Sequence, residues 1–572
     1  VRLSFKRCGP FAAWLGIVLP AGVGAIIIAS GVQAQDATWL NSPATADFNT
    51  GGNWSPTTVP TGTASFGSSS ITSLTFSTAA TALGGFTFNP GASAYTFTVG
   101  SSQSLTFNGA GIVVNGGSVG ITTNNSGTLF FTGSSSAANA TITTNGTFDI
   151  SGSTLGFVPI KTLAGSGSVQ LGANGLVITN GSTEFSGVIA DGGNFGGLEI
   201  SHGTQTLSGV NTYSNTTQID NGGTLALKGS GSIANSADVA FSGNTGKFDI
   251  SQTTAGTSVA ALFSFSGGVV SLGSKTLTIT GGSFFGGVIQ DAGIVSGTGG
   301  ALTIASGADQ VLTGTSTYTG ATTINGTLEV DGAIANTSGV TVNSGGTLTG
   351  TGIVDPPTTT IMSGGTFAPG ATAGPGASMT ITGNLAFQSG AIYQIYLSPT
   401  ATTSATVTGT ASLGGTVQAI LTPGSYSHQT YDILSAAGGL GGTTFAGSAV
   451  TNYNSSLSYT TTDVFLTLNG VALGNTNGLN QNQQAVANTL SIFVNNGGTL
   501  PATFANLFNL TGGSLGSALS QLDGEAATGA EHGAFQMMTW FLGLVLDPFV
   551  DGRFGGGSVA GGSQAIGFAP DE

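Results

Sequence analysis

Residues Leu312 to Val330 read LTGTSTYTGATTINGTLEV, and residues Leu207 to Leu227 read LSGVNTYSNTTQIDNGGTLAL. Both carry Leu-x-Gly, then Thr-Tyr, then a Thr-x-Ile step, then Gly-Thr-Leu, in that order. The motif positions are Leu207, Tyr213, Ile219 and Leu225 in the first copy and Leu312, Tyr318, Ile324 and Leu328 in the second. A phrase repeated at long spacing is a unit of architecture before it is a unit of chemistry.

The repeat is wider than the phrase. Phe185-Ser186-Gly187-Val188-Ile189-Ala190-Asp191 returns as Phe285-Gly286-Gly287-Val288-Ile289-Gln290-Asp291, a shift of 285 − 185 = 100. Tyr213 to Tyr318 is a shift of 105, and Leu225 to Leu328 one of 103. The drift places insertions at turns and keeps the strand phrases, as in a solenoid.

Composition agrees. The 572 residues include 98 Gly, and 5% are charged, yet 39% are hydrophobic, which separates the chain from a solvated coil. Short apolar alternations such as ATITTNGTFDIS and VTVNSGGTLTGTGIV recur from Ser73 to Leu468. They predict strands of four to six residues with one face inward. Asn145-Gly146, Asn221-Gly222, Asn325-Gly326 and Asn343-Ser344-Gly345 are expected to turn with positive φ. Inward Leu312, Ile324 and Leu328 are expected to stack in a core while Thr and Ser face outward. The fold expected is all-β: a long parallel, right-handed β-helix with a short α-helical segment at the C-terminus. At 20 to 25 residues per coil, Asp36 to Leu468 would make about twenty coils and a rod on the order of 90 Å long.

Residues 1–34 differ in kind. Arg2, Lys6 and Arg7 precede an apolar run from Phe11 to Ser30, and Val32-Gln33-Ala34 forms a small-residue cleavage site. They are expected to be a Sec-type signal cut after Ala34, with a retained membrane anchor as the alternative. The one cysteine, Cys8, lies inside this segment. A net charge of −15 and the lack of any basic stripe exclude a nucleic-acid partner.

The expected segments after the signal are an N-terminal cap over 35–85, with Trp39 and Trp54, then solenoid repeats over 86–360. A C-terminal stack over 361–470, a helical junction over 471–553 and a Gly-rich tail over 554–572 follow. In the junction, Val486, Leu490 and Phe493 lie on one helical face over Gln483 to Val494. Leu515, Ala518, Leu519 and Leu522 lie on another, with Ser514 as N-cap.

Candidate chemistry is sparse. Ser118 and Ser514 each sit in a G-x-S-x-G string without the strand-turn-helix setting of a nucleophile elbow. His202, His428 and His532 are scattered without metal-ligand spacing, so no catalytic, metal or cofactor site is expected. Asp191 and Asp291 recur in register and are expected to cap turns, the alternative being paired carboxylates for glycan cleavage. Tyr213 and Tyr318 are expected to pack over turns rather than stack on sugars. Met537, Met538, Trp540, Phe541, Leu544 and Val545 form an apolar helix end that either covers the last coil or touches lipid or a barrel.

The phrase from Leu312 to Val330 resembles the strand repeat of bacterial autotransporter passengers, and Leu207 to Leu227 is similar with Ser214-Asn215 in place of Thr-Gly. The stretches from Gly365 to Leu397 and from VTGTASLGGTVQAIL to YDILSAAGGLGGTTF resemble the end of such a stack and the autochaperone-containing region of pertactin-like proteins. The text up to Arg553 resembles the junction before a translocator barrel. The resemblance implies a type V secretion passenger: a non-enzymatic stalk or adhesin, exported by Sec and displayed at the outer membrane or secreted. Its implied partners are its own or a related translocator β-barrel, which the sequence to Glu572 does not contain, the outer membrane, and a host or abiotic surface or glycan. The alternatives are an enzyme passenger, a protease or esterase, and an extracellular glycan-binding or matrix protein without a translocator of its own.

Overall fold

The computed structural model describes residues 34–546 apart from 423–425, 427–428, 452, 472, 474–477, 496–499, 502–503, 505 and 523–524. The expected signal segment before Ala34, with Cys8, and also His428 and the Gly-rich tail lie outside the described residues.

Alternation in the sequence becomes a wall. Thr327–Val330 reads TLEV with Leu328 and Val330 buried, and the same pattern runs through Thr276–Ile279, Ala301–Ile304 and Thr358–Ile361. Each strand hydrogen-bonds in parallel to the strand one coil earlier and one coil later. Leu277, Leu302, Thr322, Val340 and Thr359 thus form one inward column. Ile279, Ile304, Ile324, Val342 and Ile361 form the next. The result is a β-solenoid of about 16 turns, with sheets of six to ten strands. That is fewer coils than about twenty because coil length is uneven. Ile324 pairs with Val342, 18 residues on, whereas Phe285 pairs with Leu312, 27 on, and Thr416 with Gly447, 31 on. At the strand spacing the stack is roughly 75 Å long.

Two expectations are corrected. Thr and Ser do not all face outward: Thr123, Thr144, Thr217 and Thr322 are buried. An inward hydroxyl costs least when bonded, and here the partner lies in a neighbouring coil for Thr123, Thr217 and Thr322, while the Thr162 and Thr359 hydroxyls have none among the described residues. Thr123 and Thr144 are linked at 2.8 Å in this way. Positive φ occurs at Gly222 and Gly345 but not at Gly146 and Gly326. At those two the requirement is space, because a Cβ at Gly146 would collide with the Gly127 carbonyl oxygen and one at Gly326 with that of Ala305. The same crowding stacks Gly146, Gly167, Gly187 and Gly209, each over the carbonyl of the one before.

Both ends of the stack depart from parallel pairing. At the N-terminal end Trp39 and Trp54 meet edge to face at 5.0 Å, beside Phe48, on an antiparallel pair between Ala37–Trp39 and Trp54–Ser55. The buried Asn53 amide ties this end together, accepting from the Ala44 and Thr45 N–H groups and donating to Asp47 O. At the other end Tyr453–Tyr459, Asp463–Val471 and Thr430–Ala436 pair antiparallel. This blunts the last parallel edge, where open N–H and C=O groups would recruit another chain.

Beyond it lie α1 (Gln481–Asn495), α2 (Gly512–Ser520) and α3 (Glu525–Leu546). Ala487, Val494, Leu515 and Leu519 form a small separate core with Leu473 and Phe508, and Tyr453 packs against both this core and the main one. Val486, Leu490, Leu515, Ala518 and Leu519 belong to this core as expected, whereas Phe493 is exposed and Val494 is buried in its place, and Leu522 lies exposed beyond the end of α2. Thr511, not Ser514, occupies the N-cap position of α2. Gly512 takes φ +56 and starts the helix three residues earlier than a Ser514 cap would.

Candidate functional site

The repeat motif is spent inside the rod. Leu207, Tyr213, Ile219, Leu225, Leu312, Tyr318, Ile324 and Leu328 are all buried. Tyr213 Oη meets Thr217 Oγ1 at 2.7 Å, and Tyr318 Oη meets Thr322 Oγ1 at 2.7 Å. Burial pushes both phenols up, and the threonine bond only partly offsets it. Thr217 continues to Ser236 at 2.8 Å, and Thr322 to Thr337 at 3.2 Å. Each repeat therefore carries a buried hydroxyl chain across adjacent coils. No sugar can reach these rings.

The recurring aspartates are clasps. Asp191 accepts from the N–H groups of Gly193 and Gly196 and from both N–H and Oγ of Ser214 one coil on. Burial raises its pKa, but these bonds outweigh it and leave the carboxyl below its usual range. Asp291 likewise accepts from Gly299 and Thr319. The two carboxylates share no partner and serve as turn caps. Asp249 does the same for Ser251 and for Ile294, 45 residues later.

The remaining candidates are dispersed. Ser118 opens the strand Ser118–Thr123, and Ser514 lies exposed in the first turn of α2. His202 and His532 are exposed, and among the described residues no three His, Cys, Asp or Glu side chains cluster as metal ligands. On α3, Met537, Met538, Trp540 and Phe541 are exposed, so this helix does not cover the last coil. Leu544 and Val545 side chains lie outside the described residues. No helix among the described residues is long and apolar enough to cross a membrane.

One outward feature escaped the sequence reading. Along one sheet the outward column reads Phe157, Gly175, Gly197, and its neighbour Pro159, Val177, Glu199, Gln218. The two glycines scoop a trough, and the Phe157 ring lies so close over Gly175 that a Cβ there would sit 2.6 Å from it. Phe195 rises from the Asp191 loop at the other margin. The groove is about 400 Å³, lined by both rings, Glu199, Asn215, Thr216 and Gln218 among others. Phe157 is 63% and Phe195 71% exposed. Phe195 holds φ +61, an uncommon conformation for a bulky residue. Its carbonyl accepts from Asn215 Nδ2 at 3.0 Å, and the Asp191 clasp closes the loop around it. Glu199 accepts one bond, from Ser201 at 2.8 Å, and burial, then the neighbouring Asp220 charge, raises its pKa. A larger hollow, about 660 Å³, lies between Thr416–Leu421 and Gly447–Val450, and its described lining carries no charged side chain.

No protein family matches the chain, and no curated protein does. The fold defines its class: a long parallel β-solenoid with a β-hairpin at its C-terminal end and a helical extension.

Proposed function

We propose that this chain is the passenger of a bacterial autotransporter, a surface-displayed or secreted stalk or adhesin without catalytic activity. The observation that carries the reading is the long, sparsely charged rod whose repeat motifs are wholly spent on its own core and loop clasps. Such a rod keeps a binding surface far from its point of attachment and can fold coil by coil on an existing edge, closing only local loops. The implied partners are an outer membrane and a translocator barrel, its own or a related one, with the exposed apolar face of α3 as the contact to barrel or lipid. Nucleic acid is not among them.

The exposed rings of Phe157 and Phe195 favour one further reading, an extracellular glycan-binding protein using the same rod. Expression of the full chain with a related translocator barrel tests export. Surface labelling of intact cells and release of a protease-resistant fragment are expected, and retention of the whole chain inside the cell would refute the reading.

A further inference from the structure

Most large apolar side chains of the solenoid are buried in one continuous core. Phe157 and Phe195 are not, and three features of their surroundings are independent of the fold's own needs. First, Gly175 lets the Phe157 ring lie flat against the wall and Gly197 adds no side chain beside it, and both rings line a groove of about 400 Å³. Second, Phe195 is maintained at φ +61 by a clasped loop. Strain of this kind persists where surrounding structure over-determines it, commonly at ligand clamps. The second superrepeat keeps the clasp at Asp291 but closes a longer loop to Gly299 with no aromatic residue in it, so the clasp does not need Phe195. Third, the polar groups of the lining, Glu199, Gln218 and Asn215, are half-buried or exposed, and the lining includes no Lys, Arg or His.

We infer that this groove binds a neutral polysaccharide, with pyranose rings against Phe157 and Phe195 and their hydroxyls bonded to Glu199 and Gln218. A pyranose presents apolar C–H faces and a rim of hydroxyls, which matches rings at the margins and carboxylate and amide groups between them. The carboxylates Glu199 and Asp220 repel a sulfated or uronic chain, and without cations the groove has nothing to offer a phosphate or an anionic lipid. The inference rests on reading the rod as a surface-contact element, and it gives that contact a chemistry and a place.

The test titrates cellohexaose, xylohexaose, chitohexaose and a heparin hexasaccharide into the full-length protein, followed by calorimetry and saturation-transfer NMR. Saturable binding of at least one neutral hexasaccharide is expected. Phe157→Ala and Phe195→Ala should each weaken it about tenfold, while Phe265→Ala, an exposed ring elsewhere on the rod, should leave it unchanged. Circular dichroism melts confirm that the variants fold. Failure of all three neutral sugars, binding of heparin alone, or indifference to both groove substitutions would overturn the inference. A chain displayed on cells that binds none of them refutes the groove and leaves the stalk reading intact. A chain retained inside cells whose purified form binds them refutes export and leaves the groove.

Discussion

Gln205 and Leu163, 42 residues apart, hold each other in both directions across the stack. Gln205 Nε2 donates to Leu163 O at 2.9 Å, and the Leu163 N–H donates to Gln205 Oε1 at 3.3 Å. Gln310 repeats this with Leu262, 48 residues earlier, at 3.2 and 3.3 Å. Both amides also reach the intervening coil, at Thr183 O and Ser283 O. A buried glutamine thus fastens three coils together two residues before the leucine of each motif copy. Such a group stabilises only while fully bonded.

Gln310→Leu should therefore lower stability although leucine is the more apolar side chain. It strands the Leu262 N–H and carbonyl in the core, while the Ser283 carbonyl keeps the Val311 N–H, for a loss of about 2–3 kcal/mol. Guanidinium unfolding measures the loss, and hydrogen exchange should place it on the coils around Leu262. An unchanged midpoint would mean that water replaces the amide.

The glycine stack makes a sharper demand. Gly187→Ala and Gly314→Ala each force a Cβ onto a glycine carbonyl of the preceding coil, at Gly167 and Gly287. The expected cost is about 3 kcal/mol, the upper end for overpacking. Gly67→Ala, with nothing within 4 Å, should stay within about 0.5 kcal/mol. Equal thermal melts for all three would disprove the close-approach argument.

Thr322→Val removes a hydroxyl that joins Tyr318 to Thr337. The phenol left without its partner should cost about 1–3 kcal/mol, and the double substitution Thr322→Val with Tyr318→Phe should recover part of it. A simple sum of the single effects would show that the chain is not cooperative.

Glu199 supplies a pH signature. Its carboxyl is raised in the folded state, first by burial and then by Asp220, so the folded protein holds the proton more tightly than the unfolded one. Stability then falls as pH rises from the unfolded value through the folded one. Glu199→Gln mimics the protonated form and should raise the melting temperature at pH 7, with the gain vanishing as pH drops below the ordinary carboxylate range near 4.5. Asp191 works in the opposite sense. Its lowered carboxyl contributes stability above its unfolded pKa that is lost as pH falls through the folded one, so Asp191→Asn should destabilise at pH 7 and converge with the unmodified chain in acid.

What the sequence determined by itself was the local pattern. Alternation of Leu, Ile and Val with Thr marked the strands, and the recurrence of Leu207 to Leu225 as Leu312 to Leu328 marked a stack whose motif residues are indeed buried. Asp191 was legible as a turn cap because its carboxylate bonds the backbone of Gly193 and Gly196 close by, and Asp291 by its recurrence in register, although its own partners, Gly299 and Thr319, lie farther along the chain. The tertiary structure alone decided which polar residues turn inward. Thr322 and Thr323 are adjacent threonines, yet one is buried and the other half-buried, and a pair of letters does not say which faces Tyr318. Gln205 and Gln310 stood in view beside the motif, but their partners lie 42 and 48 residues away, so no window of sequence contains the contact. The same holds for the groove. Phe157, Gly175, Glu199 and Gln218 come from successive coils, and only the register of stacked strands, set by coil lengths that vary from 18 to 31 residues, brings them to one face. Periodicity is a property of neighbours in the chain; a binding surface on a solenoid belongs to neighbours one coil apart.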